Sequence, residues 1–298
     1  MTGRTTQHLC NRIAIAFDFD DTLAPDTFAS LIGDLGYDIE KFKAEKYEPL
    51  KKNGWDGIPA RFFTLLEGAR DQADNEKRLT RSYLKRYGEQ LQLFSGVAEM
   101  FDKLRQRVQA IDPNLVLEFY IISSGFADIV KSTSIAHQFK AIWGCDLHFG
   151  EDGEAVCLKH TVTHPDKVRY LYYLSRGIES HSEDDLMFVY QDVPHSELYI
   201  PLDQVIYVGD GTSDLPCFRL INQHKGIPIA VFPDGSAREW ARKYDVSASQ
   251  RVMALVEADY SDNSLLMQTL GLAVESMAKK IRIQQLGDRV LEDAKDGV

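Results

Sequence analysis

The chain has 298 residues, 44% of them apolar, which is enough for one sizeable α/β domain and a smaller companion. Acidic residues outnumber basic ones 45 to 34, for a formal net charge of −11, which argues against a broad nucleic-acid-binding face. No apolar run reaches the roughly 18 residues of a membrane span, so none is expected.

Met1 to Arg12 lacks the apolar core of a secretory leader. Cys10, Cys145, Cys157 and Cys217 have no metal-binding spacing. Reduced thiols in a cytoplasmic protein are expected. Ile13-Ala14-Ile15-Ala16-Phe17 reads as a buried strand that delivers Asp18-Phe19-Asp20-Asp21-Thr22 to its end. Ligands of open α/β sheets bind at such strand ends. Asp18 and Asp20 share one face of an extended backbone. Carboxylates this close repel unless a cation or a shared proton holds them. By itself the pentad also reads as solvated acids leading into a helix.

A helix-rich stretch follows, over 27–36, 39–52, 58–70 and 75–87. Phe62, Leu65, Leu66 and Ala69 have the spacing of an amphipathic helix. After Phe94-Ser95-Gly96 another helix runs to about Val108. A strand over 115–122 precedes Ser123-Ser124-Gly125, and a helix is predicted over 126–137. A hydroxyl and a glycine at such a turn suit a phosphate at a helix N-terminus. They equally suit an ordinary serine cap. Ala141-Ile142-Trp143 reads as the next strand.

Pro165-Asp166-Lys167 opens a helical pattern through Val168, Leu171, Tyr172 and Leu174. Residues 178–200 form an insertion, either a loop or an extra edge strand. Val205-Ile206-Tyr207-Val208 is a strand ending in Gly209-Asp210-Gly211-Thr212-Ser213-Asp214. Asp210 can bind a metal directly. Asp214 can hold one through water or orient a lysine. From Arg251 the chain reads as helical to its end, with Leu265, Leu266, Leu270, Ala273, Val274 and Met277 on one stripe. That stripe is either core or a dimer contact. Alternating β and α units predict an α/β fold with a doubly wound parallel sheet.

Three of these segments, in this order, resemble the motifs of the haloacid dehalogenase-like (HAD) hydrolase superfamily. Asp18-Phe19-Asp20-Asp21-Thr22 matches DxDxT, Ser123 matches the serine or threonine after a hydrophobic strand, and Gly209-Asp210 to Asp214 matches GDxxxD. Lys167 fits the isolated motif lysine best, and Lys159 is the alternative. The resemblance spans about residues 11 to 245 and is greatest to the phosphoserine-phosphatase-like branch. It implies a Rossmann-like core over 1–24 and 94–250, an inserted α-helical cap over 25–93, and a helical extension over 251–298.

The resemblance also implies roles. Asp18 would be a nucleophile forming an aspartyl-phosphate, and Asp20 a general acid and then base. Mg²⁺ would be held by Asp18, the Asp20 carbonyl and Asp210. Ser123, Ser124, Gly125 and Lys167 would bind the phosphate, with Thr22, Gly211 and Asp214 in support. The dehalogenases of the superfamily lack the second aspartate, so Asp20 favours phosphoryl transfer. The implied activity is a Mg²⁺-dependent phosphatase acting on a small phosphorylated metabolite. A phosphomutase or phosphotransferase using the same aspartates is an alternative, as is a non-catalytic binding protein. Phosphoserine phosphatases carry a cap glutamate nine residues after the nucleophile, where this chain has Thr27. Ser213 replaces an asparagine, and Asp21 stands where glycine or serine is common. These departures argue against phosphoserine itself as the substrate. No nucleic-acid or membrane partner is expected, and monomer and homodimer both remain open.

Overall fold

The computed structural model describes residues 10–72, 77–180, 191–233 and 252–296. Its centre is a seven-stranded sheet in the order β4-β3-β2-β1-β5-β6-β7. The strands are β1 (Arg12–Phe17), β2 (Val116–Phe126), β3 (Ala141–Phe149), β4 (Ala155–His160), β5 (Val205–Gly209), β6 (Ile227–Phe232) and β7 (Ala254–Glu257). All neighbours run parallel except β3 and β4, which form an antiparallel hairpin. The fold is therefore α/β, with one antiparallel edge strand.

The helices are α1 (Thr27–Asp34), α2 (Ile39–Phe42), α3 (Glu48–Lys52), α4 (Gly57–Arg70), α5 (Arg81–Gln90), α6 (Val97–Gln109), α7 (Ala127–Val130), α8 (Asp166–Arg176), α9 (Leu215–Gln223) and α10 (Leu265–Asp296). They cover both faces of the sheet. The period of two along each strand divides its side chains between two cores. Ala14, Ala16, Tyr120, Ile122, Val205 and Tyr207 face one cluster, together with α8, α9 and the helices of the 27–90 segment. Ile13, Ile15, Phe17, Phe119, Ile121, Ile206 and Val208 face the other, with α6 and α10. Apolar runs in the central strands follow from burial on both sides.

β1 sits between β2 and β5, where the order of the sheet reverses. A crevice opens at such a point beyond the carboxyl ends of the strands. Backbone bonding carries β1 one residue further, because Asp18 N–H donates to the Val208 carbonyl at 2.8 Å. Asp21 then takes a left-handed conformation (φ 54°), and the chain turns toward α1.

Several local expectations need correction. The strand expected over 115–122 continues through Phe126, with an irregularity against β3 between Ile122 and Phe126. Ser123-Ser124-Gly125 therefore lies at a strand end and not at a helix N-terminus. The helix expected over 126–137 is a single turn, α7. Ser132 and Thr133 return their hydroxyls to the Asp128 and Val130 carbonyls, which competes with further helix. The helix expected from Asn75 starts at Arg81, where Thr80 Oγ1 caps Tyr83 N–H at 3.1 Å. Asn75 itself lies outside the described residues.

The C-terminal stretch is not helical from Arg251. Residues 254–257 add β7 to the sheet, because a short apolar run carries no helical period of its own. On α10, Leu266, Leu270, Ala273, Val274 and Met277 are core, whereas Leu265 is exposed. Of the insertion over 178–200, residues 181–190 lie outside the described residues, as does the expected boundary at 250. All four cysteines are free. Among the described residues, no helix is long and apolar enough to cross a membrane.

Candidate active site

Two strand ends, and the turn beyond one of them, bring carboxylates together. Asp18 follows β1, Asp210 follows β5, and Asp214 closes a short 3-10 turn before α9. Each offers an oxygen, and these oxygens all lie within 4.8 Å of one another. Lys167, at the second position of α8, enters from the side and is wholly buried. Its Nζ lies 2.6 Å from Asp18 Oδ2 and 2.8 Å from Asp214 Oδ1. Lys159 sits at an exposed position on β4, so Lys167 is the lysine in contact with Asp18.

Asp214 has a second anchor. Tyr207 on β5 donates its hydroxyl to the same Oδ1 at 2.6 Å, and Gly211 N–H donates to Oδ2 at 3.3 Å. Asp18 Oδ1 accepts from Phe19 N–H at 2.7 Å. Asp20 Oδ1 accepts twice from Thr27, from N–H at 2.9 Å and from Oγ1 at 2.7 Å. Asp20 Oδ2 lies against Gly125, where any Cβ would collide with it. Ser123 is buried, and its hydroxyl accepts from Gly125 N–H at 2.9 Å. Ser124 Oγ is buried with no hydrogen-bond partner among the described residues. Thr22 is buried under the turn. Its carbonyl accepts from Tyr260 at 3.0 Å, and its own hydroxyl has no partner among the described residues.

Burial dominates the electrostatics. It pushes Asp18 up to about 8, opposed by Lys167 and assisted by Asp214 and Asp20. Asp20 is pushed up to about 6, again by burial first and then by Asp26, while Thr27 pulls it down. Asp210 rises well above the ordinary carboxylate range, through burial and the Asp214 and Asp18 charges. Burial works against the Lys167 ammonium, but Asp18 and Asp214 outweigh it and keep the group protonated. One buried lysine cannot balance three ionised carboxylates, and the raised values of Asp18 and Asp210 express that shortfall. An all-oxygen donor set of this kind fits a hard divalent cation such as Mg²⁺.

These groups open into a cavity of about 720 Å³. Asp18, Asp20, Asp210, Ser124 and Ser213 line its floor, and Tyr47, Lys51, Asp56 and Arg61 come from the helical segment. Ser123, Gly125, Lys167 and Asp214 stand behind that lining. Of the other side chains in the helical segment, Arg70 bonds Glu67 and the Val156 carbonyl. Trp55 packs on Phe63 with ring centroids 4.9 Å apart, and Lys52 is exposed. Sequence reasoning missed Tyr207 as a member of the site. Its signal was a lone polar tip in the strand Val205-Ile206-Tyr207-Val208.

No sequence profile of a known protein family matches the chain. A protein of Borreliella burgdorferi, itself described as uncharacterized, is 26% identical over 286 residues, covering 86% of this chain and 94% of that one. Among solved structures, a HAD family hydrolase of Salmonella enterica serovar Typhi superposes with a TM-score of 0.55 at 16% identity. The match covers 90% of this chain and 73% of that one. A probable phosphoserine phosphatase of Vibrio cholerae gives 0.51 at 16% identity, over 91% and 67% of the two chains. A phosphoserine phosphatase in apo form gives 0.50 at 16% identity, over 84% and 94%. The protein has a HAD-like fold of the phosphoserine-phosphatase type.

Proposed function

We propose that the protein is a phosphatase that hydrolyses a small phosphorylated metabolite through an aspartyl-phosphate on Asp18. The observation that carries this reading is the contact of Asp18 with Lys167, beside Asp210 and Asp214, at the floor of a cavity that Asp20 also lines. A carboxylate oxygen of Asp18 attacks phosphorus, and the bond to the ester oxygen breaks. Asp20 gives that oxygen its proton. Water then attacks the phosphorus of the aspartyl-phosphate, Asp20 takes its proton, and phosphate leaves with Asp18 restored. A group that must both give and accept a proton works best with a pKa near the working pH, and Asp20 at about 6 suits this.

Lys167, the Ser123 and Ser124 hydroxyls and the backbone N–H groups near Gly125 bind the phosphoryl oxygens in this reading. Ser124 Oγ has an unused hydrogen-bonding capacity that fits the task. Asp18, Asp210 and the Asp20 carbonyl would hold Mg²⁺, which would supply positive charge against the repulsion between Asp18 and the phosphate dianion. Asp214 and Tyr207 hold Lys167 in place, and Thr22 and Gly211 support the two turns. The segment over 25–93 acts as a cap, because its side chains complete the cavity and exclude bulk water and large substrates. Four free thiols suit a reducing, cytoplasmic setting.

The test is phosphate release from a panel of phosphorylated metabolites and p-nitrophenyl phosphate, with Mg²⁺ and with EDTA, beside Asp18→Ala. Mg²⁺-dependent release that vanishes in the variant is expected. Release that persists in pure Asp18→Ala protein would refute the role of Asp18. Transfer of the phosphoryl group to an added sugar, in preference to water, would make the protein a phosphotransferase.

A further inference from the structure

The second aspartate of the site is held by the helical segment. Asp20 Oδ1 receives both hydrogen bonds of Thr27, the first residue of α1. Thr27 is 2% exposed, so no bulk water competes for that oxygen from its side. The same turn is fastened twice more. Asp21 Oδ1 accepts from Asp26 N–H at 3.2 Å, and Asp26 Oδ1 caps Phe28 N–H at 2.9 Å. Asp20 Oδ2 is backed by Gly125 of β2, where only a glycine leaves room for it. The carboxyl is thus clamped between a core strand and the first residue of the helical layer.

We infer that Thr27 is a positioning residue for Asp20, which ties the orientation of the proton-donating carboxyl to the seating of α1. The inference rests on the phosphatase reading for what Asp20 does, but the clamp itself is independent of it. A carboxyl that must meet the leaving oxygen within hydrogen-bond reach loses rate when its orientation is released. Thr27 touches neither phosphate nor metal in this role. Its hydroxyl fixes one oxygen of Asp20 and leaves the other to face Gly125 and the cavity floor.

The chemistry offers a readout that a purely structural role would not move. An alkyl phosphate expels a basic alkoxide that needs a proton, whereas p-nitrophenyl phosphate expels a stabilised phenolate that does not. kcat/KM reports only the steps up to departure of that group. Thr27→Val removes the hydroxyl and keeps the branched shape. We expect its kcat/KM for an alkyl phosphate such as glycerol phosphate to fall about tenfold or more. That for p-nitrophenyl phosphate should stay within about threefold. Thr27→Ser should recover most of the loss. An equal fall on both substrates, or no fall, overturns the inference.

Should the native protein hydrolyse neither these substrates nor any member of the metabolite panel, the phosphatase reading fails and the clamp is judged by stability instead. Melting temperatures of Thr27→Val, Asp20→Ala and the double variant should then be non-additive, because both single variants remove the bond between the Thr27 hydroxyl and the Asp20 carboxyl. Additive losses would overturn the clamp.

Discussion

Tyr207 donates its hydroxyl to Asp214 Oδ1 at 2.6 Å, the same oxygen that Lys167 reaches at 2.8 Å. All three side chains are fully buried. Asp214 is therefore a junction: a phenol from β5 and an ammonium from α8 meet on one carboxylate oxygen. Burial, with the Asp214 charge, pushes the phenol well above its ordinary range, so it donates at any working pH. Tyr207→Phe keeps the ring in the core and removes the donor. A lost hydrogen bond to a buried charged acceptor costs about 1–3 kcal/mol. Urea unfolding should show a loss of that size, and phosphate release should fall as Lys167 is freed to move.

Legibility in the sequence followed the kind of signal. Asp18, Asp20 and Asp210 could be read because an apolar strand that ends abruptly in acids is unusual locally. Lys167 could be read because Pro165-Asp166 marks a helix start. Tyr207 could not, since a tyrosine in an apolar strand looks like core until a partner 7 residues away is known. Thr27 was noticed only as the residue that is not glutamate. Its bonds to Asp20 depend on the turn at Asp21, which sequence patterning does not encode. β4 and β7 were missed for a related reason. Each is a short run whose strand character comes from its pairing and not from its own pattern: β4 folds back on β3 across a tight turn, and β7 joins the edge of β6 across a longer span of chain.

Lys167→Met gives a pH-dependent deficit in stability. Asp18 is already pushed up to about 8 by burial and its acidic neighbours, against the pull of Lys167. Without the ammonium its folded value rises further above the ordinary carboxylate value of about 3.9. A carboxyl raised in the folded state takes up a proton on folding. Its contribution is fully retained below the unfolded value and declines as pH climbs toward the folded one. The deficit relative to the native chain should thus be level up to about pH 6, where Asp18 is protonated in both folded chains, and larger at about pH 9.5, growing by up to about 1.4 kcal/mol per pH unit above the native value of about 8. Denaturant titrations at both pH values check this. Equal deficits would mean that Lys167 does not control Asp18.

Gly209→Ala tests the packing behind the junction. A Cβ on Gly209 would stand 2.5 Å from Asp214 Cγ. Asp214 cannot retreat without leaving Lys167 and Tyr207, and the strand backbone is paired on both sides. Overpacking of this kind costs about 1–3 kcal/mol. The variant should lose both stability and phosphate release. Gly211→Ala, two residues on, meets nothing within 4 Å and should retain its stability. Parallel melting curves separate the two.

Metal binding can be followed without turnover. The oxygens of Asp18, Asp210 and Asp214 crowd within 4.8 Å, and the single lysine among them is engaged by Asp18 and Asp214. Among the described residues no ion pair reaches Asp210, whose carboxyl is raised by burial and by its acidic neighbours. A divalent cation would relieve that repulsion only in the folded state, where the carboxylates converge. It should therefore stabilise the fold by mass action, by about 2.7 kcal/mol at a hundredfold excess over its dissociation constant. The melting temperature should rise with Mg²⁺ and return to its starting value with EDTA. Asp210→Asn removes a ligand charge and the repulsion together. It should melt at or above the native temperature without metal and gain little from Mg²⁺. A native protein indifferent to Mg²⁺ and Mn²⁺ alike would count against a metal among these carboxylates, and Asp18 would then depend on Lys167 alone for its opposing charge.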